Sequence, residues 1–363
     1  MITPTLWGSD ILINTTTAGG QENVRLASLG NGTFVAVWED ASSPTHDIKA
    51  QIFNTDGSKR GGEFTVNKAA GWLESDPVVT ALGDGRFVVA WESYDEDTDT
   101  DNLYGRIFTA NGSPAGSDFL INAAAHKDKA SNPTITATAK GGFAVTYEAY
   151  MGWQDDRATD LYTRTFDKYG HALSNGRVAS LYTSYDQSDA VTVSLKDGRY
   201  MVFYMDEGRH DYKVYGRLFN AKGTPVSGKE IAFSTPGDQG YPNATALNDG
   251  RVVVTWLERD FSIKAQIIKP DGSKSGGVFT IYAAANWVKH NDINVTALAD
   301  GGFAVVSKLY ENDEKLIVTT FNKLGHRTSA DTVIRAEDDT HRFGASVSAK
   351  TLPDGRLVVS WDE

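Results

Sequence analysis

An apolar hairpin recurs seven times along the 363 residues, spaced 51 to 57 residues apart, and most copies precede two more strand-like runs. Together these observations predict an all-β fold, a seven-bladed β-propeller of four-stranded antiparallel blades. Strand-bearing solenoid repeats are shorter, about 20 to 30 residues, which disfavours that alternative. The clearest copy is VVTALGDGRFVVAW, from Val78 to Trp91: apolar alternation, a Gly-Asp-Gly turn, then a second apolar run ending on an aromatic. Its counterparts end at Trp38, Tyr147, Tyr204, Trp256, Ser307 and Trp361.

Each unit reads as four strands. Strand A is of the VVTAL type and strand B of the FVVAW type. Strand C, the LYGRIF type, covers Ile48 to Phe53, Leu103 to Phe108, Leu161 to Phe166, Val214 to Phe219, Ile263 to Ile268 and Leu316 to Phe321. Strand D, the EFTVN type, covers Glu63 to Asn67, Asp118 to Asn122, Glu230 to Phe233 and Val278 to Tyr282, with looser forms near 177–181 and 332–335. Glycine-containing turns join A to B and C to D, and no segment carries a capped helical period. The blades fall near 23–67, 76–122, 132–181, 189–234, 241–282 and 292–336 of a single domain, 1–363. The last blade combines 344–363 with 8–14, because SDILIN at Ser9 to Asn14 matches SDFLIN at Ser117 to Asn122. An N-terminal strand is thus expected to close the ring. That last blade has no strand C, so the chain is read as truncated or as ending in a three-stranded blade with an exposed edge.

Composition narrows the function. A net charge of -12 argues against a broad nucleic-acid footprint, and no apolar run approaches the ~18 residues of a membrane span. With no cysteine there are no disulfides, zinc thiolates or thiol nucleophiles. MITPTLWGSD lacks a basic segment followed by an apolar core, so no Sec-type leader is read there. Nucleotide-binding, zinc-protease and serine-hydrolase motifs are also missing.

A meander of four strands puts the A–B and C–D turns on one face and the B–C and D–A loops on the other. The second face carries the variable loops and is where a site is expected. It holds His46, His126, His210, His290 and His341, the tryptophans Trp72, Trp153 and Trp287, and tyrosines including Tyr94, Tyr150, Tyr212 and Tyr241. Such aromatics stack on sugar rings, or fold back over the blades as local packing. Cationic groups recur among them: His126-Lys127, Arg209-His210, Lys289-His290 and His341-Arg342. Converging over a central channel, they would suit an acidic oligosaccharide; spread out, they are a solvated rim. Cleavage of a uronate polymer by β-elimination needs a cation for the carboxylate, a base for the α-proton and an acid for the leaving oxygen.

Two acidic patterns stand out. Aligned strand A starts place Asn23, Asp76, Asn132, Asp189 and Asp292 in one column, with Tyr241 replacing the polar residue in one blade. The column either caps strand ends or binds a cation or water. In SYDEDTDTDN, the alternating Asp95, Asp97, Asp99 and Asp101 resemble half a calcium loop, without the Gly and Glu an EF-hand requires, or else form a solvated loop.

The repeat ALxDGrFVVaW, then yGRiF, a glycine turn and GxeFxVN, resembles a family of bacterial seven-bladed β-propeller repeats. They occur in large proteins exported by type I secretion beside RTX calcium repeats. The match is closest at Thr80 to Trp91, Tyr104 to Phe108 and Gly116 to Asn122. The architecture is also similar to propeller-fold polysaccharide lyases, without a lyase motif matched residue by residue. The resemblance implies an extracellular protein.

The resulting expectation is a secreted carbohydrate-active propeller, a lyase of acidic polysaccharide, with a non-catalytic glycan-binding module as the alternative. Catalysis falls to His210, His290, Tyr212, Tyr241 and Arg209. Substrate binding falls to His126, Lys127, Tyr150, Trp153, Trp287, Lys289, His341 and Arg342. No cofactor is required; calcium is the candidate ion, at Asp95, Asp97, Asp99 and Asp101. The partner is a polysaccharide or glycan, with no nucleic acid and no membrane insertion.

Overall fold

The structure, a computed structural model, describes residues 6–30, 32–68, 72–122, 129–138, 141–150, 159–208, 211–233, 237–283, 293–310, 314–336, 343–344 and 346–363. They form an all-β propeller: six four-stranded antiparallel sheets and one two-stranded sheet. In chain order the sheets contain β1 (Gln21–Ser28), β2 (Phe34–Asp40), β3 (Asp47–Phe53) and β4 (Lys59–Thr65); then β5 (Leu73–Ala81), β6 (Phe87–Asp95), β7 (Thr100–Phe108) and β8 (Phe119–Leu120). The third has β9 (Ala130–Ala137), β10 (Phe143–Tyr150), β11 (Thr159–Phe166) and β12 (Arg177–Val178), and the fourth β13 (Gln187–Ser194), β14 (Tyr200–Glu207), β15 (Tyr212–Phe219) and β16 (Ile231–Ala232). The fifth has β17 (Gln239–Ala246), β18 (Val252–Glu258), β19 (Ile263–Ile268) and β20 (Lys274–Tyr282), and the sixth β21 (Ile293–Ala297), β22 (Phe303–Tyr310), β23 (Glu314–Phe321) and β24 (Thr332–Ala336). The last pairs only β25 (Val347–Thr351) with β26 (Leu357–Trp361). The first strand of each sheet touches those of its two neighbours, and β25 lies between β21 and β1, closing the ring.

The hairpin turn explains its own sequence. Gly85 donates to the Leu82 carbonyl at 3.1 Å and Leu82 to that of Arg86 at 2.7 Å, a three-residue loop with Gly85 at φ 85°. A side chain there would be strained, hence the invariant glycine. Asp84 accepts from Arg86 through Nε and Nη2, at 3.0 and 2.6 Å, and the Asp197–Arg199, Asp249–Arg251 and Asp354–Arg356 pairs repeat this. Being exposed, each is worth about 0.2–1 kcal/mol.

Strands B, C and D add to the cohesion between blades that the first strands begin. Phe143 and Phe166 stack at 5.0 Å, and Phe119 of the preceding blade tilts against both, at 6.1 and 5.8 Å. The arginine of the LYGRIF strand reaches back to that preceding blade. Arg106 donates to Val66 O at 3.0 Å, Arg164 to Ile121 O and Asn122 O at 2.7 and 3.0 Å, and Arg217 to Ser180 O at 2.6 Å. Each guanidinium also lies over the phenylalanine two residues on. Gln51 and Gln266 hold this position in the first and fifth blades and bond within their own blade instead, to Gly61 O and Gly276 O.

The asparagine closing strand D anchors the start of strand C. Asn67 Oδ1 accepts from Ile48 N and Asn122 Oδ1 from Leu103 N, both at 3.0 Å. Asn122 and Leu103 are fully buried. Asn122→Ala is therefore expected to cost about 1–3 kcal/mol by orphaning a buried N–H, measurable by urea denaturation.

Two expectations are corrected. Strand D shrinks to two residues in β8, β12 and β16, in blades whose connection from strand C folds back and bridges Phe108 to Pro114, Phe166 to Ala172 and Phe219 to Pro225; the same bridge, Phe321 to Arg327, precedes the five-residue β24. Residues 8–14 form no ladder. A fourth strand pairs with a third, and the sheet of β25 and β26 has no third strand among the described residues.

Candidate functional site

The loop-face mouth of the channel is built from a repeated bulge. Register slips between Glu22 and Arg25, Ser75 and Val78, Ser188 and Val191, and Gly240 and Asn243; in the third blade the slip falls opposite Thr146 and Glu148. At each slip the column residue is left-handed: Asn23 (φ 57°), Asp76 (46°), Asn132 (49°), Asp189 (50°) and Tyr241 (51°). Asn and Asp tolerate that region, whereas a bulky tyrosine is unusual there and marks the position. Asp292 lies outside the described residues.

The bulge brings Asn23, Asp76, Asn132 and Asp189 against a glutamate that directly follows a strand B aromatic. Asn23 Nδ2 donates to Glu39 Oε2 at 3.4 Å and to Asp76 Oδ1 at 3.0 Å. Asn132 bridges two glutamates, its N–H to Glu92 Oε1 and its Nδ2 to Glu148 Oε2 at 2.9 Å. Asp189 N–H gives Glu148 Oε1 a second donor at 3.2 Å, and His46 Nδ1 lies 2.9 Å from Glu39 Oε1. A chain of carboxyl and amide groups thus runs around the mouth from the first blade to the fourth.

Crowding of like charge away from water perturbs these acids. Burial, then Asp76, then Asp101 and Glu148 push Glu92 up to about 8, against the hydrogen bond from Asn132. Glu148 rises to about 7, chiefly by burial, with its Asn132 and Asp189 donors opposing. Burial raises Asp76, while Arg25 beside it pulls the other way. Both carboxyls are thus raised into the neutral range, Glu148 with two N–H donors and Glu92 with one.

The fourth and fifth blades add Tyr212 and Tyr241. Burial, Asp189, Tyr212 and Glu207 raise the Tyr241 phenol, in that order. Tyr212 is 44% exposed, with its N–H on Asp238 Oδ1 at 3.3 Å. Tyr212 lies near enough to Tyr241 to act on its phenol electrostatically. Tyr150, at the end of β10, is half-buried. Arg209, His210, His290, His126, Lys127, Trp153, Trp287, Lys289, His341 and Arg342 lie outside the described residues. Trp72 stacks on Tyr104 at 6.0 Å, so that loop aromatic folds back as packing.

Among the described residues no three His, Asp or Glu side chains gather to share a metal ion, Asp95, Asp97, Asp99 and Asp101 included. Asp95 is turned to Asp97 N–H at 3.0 Å, Asp99 takes the Tyr94 hydroxyl at 3.1 Å in a left-handed turn, and Asp101 lies in β7 beside Lys129. The glutamate row escaped the sequence reading although its signal was there: Glu39, Glu92 and Glu148 all follow the landmark aromatic.

No family model and no curated protein sequence matches the chain. Solved structures do. The α-L-arabinofuranosidase of Fusarium graminearum, in complex with an iminosugar inhibitor, is 13% identical at a TM-score of 0.57, with 86% of this chain and 93% of that one covered. The α-L-arabinanase of Penicillium chrysogenum, complexed with arabinobiose, is 15% identical at 0.55, covering 83% and 93%. A polysaccharide lyase of family PL25, an ulvan lyase bound to a glucuronate–sulfated rhamnose unit, is 10% identical at 0.58, covering 94% and 93%. Among the described residues no helix is long and apolar enough to cross a membrane. The chain is a β-propeller whose fold is shared with carbohydrate-active enzymes.

Proposed function

We propose that the protein is a carbohydrate-active propeller that cleaves a glycan at the loop-face channel mouth, with Glu92 as proton donor and Glu148 as its carboxylate partner. The observation that carries this reading is the Glu92–Asn132–Glu148 bridge, which holds two carboxyls, both of raised proton affinity, on one residue. Glycosidic hydrolysis asks for such a pair: one acid to protonate the leaving oxygen, one carboxylate to assist water or the ring carbon. An extracellular place of action belongs to the same reading.

A second reading, β-elimination on a uronate-containing polysaccharide, draws on Tyr212 and Tyr241 beside Glu207 and Asp189. Raised as it is, the Tyr241 phenol stays protonated and suits the acid for the leaving oxygen, with His210 or His290 as base and Arg209 on the carboxylate. One panel separates the readings: neutral and uronate polysaccharides, followed for new reducing ends and for absorbance of an unsaturated product. Reducing ends alone are expected. Both signals on uronate polymers support elimination, and neither signal with glycan-array binding intact leaves a binding module.

A further inference from the structure

We propose that Tyr241 is a platform on which an uncharged sugar ring stacks, one blade on from Glu148 and beside Tyr212. The platform rests on the loop-face site proposed above and adds its substrate class. Two replacements coincide at the junction of the fourth and fifth blades. The glutamate that follows the strand B aromatic in the first three blades, Glu39, Glu92 and Glu148, is Met205 in the fourth and Leu257 in the fifth, and both are buried. At the same junction the column residue is Tyr241 rather than Asn or Asp. Gly240 is pressed so close to the fourth blade that a β-carbon there would meet Met205 Sδ at 3.0 Å, and it stands opposite Leu257 in the sheet. The acidic row therefore gives way to an apolar junction just past Asp189.

Tyr241 holds its place against its own backbone preference. At φ 51° it is left-handed like Asn23, Asp76, Asn132 and Asp189, but it lacks the short polar side chain that eases that region. Asparagine fills the bulge at the same place in the first and third blades, so the fold itself does not ask for an aromatic there. The ring packs against the core of the fifth and sixth blades and stays half-buried, so packing does not consume the whole of it. Strain kept for a partly open ring beside a cleavage site points to the ring's use.

The surroundings define what the ring accepts. Tyr212 begins β15 opposite Glu207 of β14, and its N–H reaches Asp238 Oδ1, three residues before Tyr241. Asp189, Tyr212 and Glu207 all lie close enough to act on the Tyr241 phenol. Asp189 is also the residue whose N–H meets Glu148 Oε1 at 3.2 Å, so the platform adjoins the carboxylate partner of the cleavage pair. An aromatic face takes the apolar face of a sugar, while Asp189 and Glu207 accept hydrogen bonds from its hydroxyls. The same two carboxyls stand against a uronate and so select an uncharged ring.

The test is calorimetric titration of the full chain with arabino-, xylo- and gluco-tetrasaccharides and with a tetragalacturonate. Saturable binding of a neutral tetrasaccharide is expected, with the tetragalacturonate about tenfold weaker or absent. Tyr241→Phe keeps the ring and should bind within about twofold of the wild type. Tyr241→Asn restores the column residue and relaxes the backbone; it should bind about tenfold more weakly, with a urea midpoint no lower than that of the wild type. Wild-type binding by Tyr241→Asn, tighter binding of the tetragalacturonate, or no binding of any neutral tetrasaccharide overturns the proposal. So does a lowered midpoint for Tyr241→Asn, which would make the ring core packing. A neutral sugar bound through Tyr241 but never cleaved would remove the Glu92–Glu148 pair and leave the platform, whereas cleavage with binding by Tyr241→Asn unimpaired removes the platform alone.

Discussion

Glu92→Gln is expected to flatten the pH dependence of stability and to abolish most of the activity. The Glu92 carboxyl titrates near 4.5 when unfolded and at about 8 when folded. A raised folded value means that its contribution is fully present below about pH 4.5 and is lost as the pH climbs through 8. Glutamine mimics the protonated acid and keeps an oxygen for the Asn132 N–H. The variant should match the wild type near about pH 5 and exceed it near about pH 9 by on the order of 3 kcal/mol. Turnover should fall about 10²–10⁴-fold if the proton reaches the leaving oxygen from Glu92. Parallel stability profiles in urea, together with unchanged turnover, would remove Glu92 from both roles.

Arg164→Ala is expected to destabilise the propeller by about 3 kcal/mol without altering the mouth. Its Nη1 is shared by Ile121 O and Asn122 O, its Nε donates to Ser174 O at 2.9 Å, and the guanidinium covers Phe166 at 5.4 Å. Alanine leaves two carbonyls of the neighbouring blade without that donor and uncovers the ring. Arg164→Gln should lose less, because the glutamine at this position in the first and fifth blades bonds within its own blade. An unfolding midpoint for Arg164→Ala equal to the wild type would show that the blades hold together without this clamp.

Most of the architecture was legible because one hairpin fixes so much. Alternation and the Asp-Gly-Arg turn dictate strands A and B, and the LYGRIF run dictates strand C. What periodicity cannot show is length of pairing, hence the two-residue β8, β12 and β16, where the arginine at 106, 164 or 217 accompanies a folded-back connection. The column from Asn23 to Tyr241 was visible as aligned residues, but its left-handed bulge was not, since only the register slip reveals it. The glutamates behind it sit beside the strand B aromatic in sequence, but no pattern shows that one asparagine of a neighbouring strand links two of them. At Asp95 to Asp101, spacing alone resembled a calcium loop, while hydrogen bonds to Asp97 N–H and Tyr94 show how those side chains turn the chain locally. SDILIN reads as a strand by its pattern, but a ladder needs a partner, and none of the described residues pairs with it.

The most direct test of the acid–base assignment is a ¹³C titration of the Glu92 side-chain carboxyl, identified by the resonance that Glu92→Gln removes. A Glu92 midpoint near 8 is expected, with a shift in the Glu148 midpoint when Glu92 is replaced. A Glu92 midpoint near the ordinary 4.5, indifferent to Glu148, would contradict it.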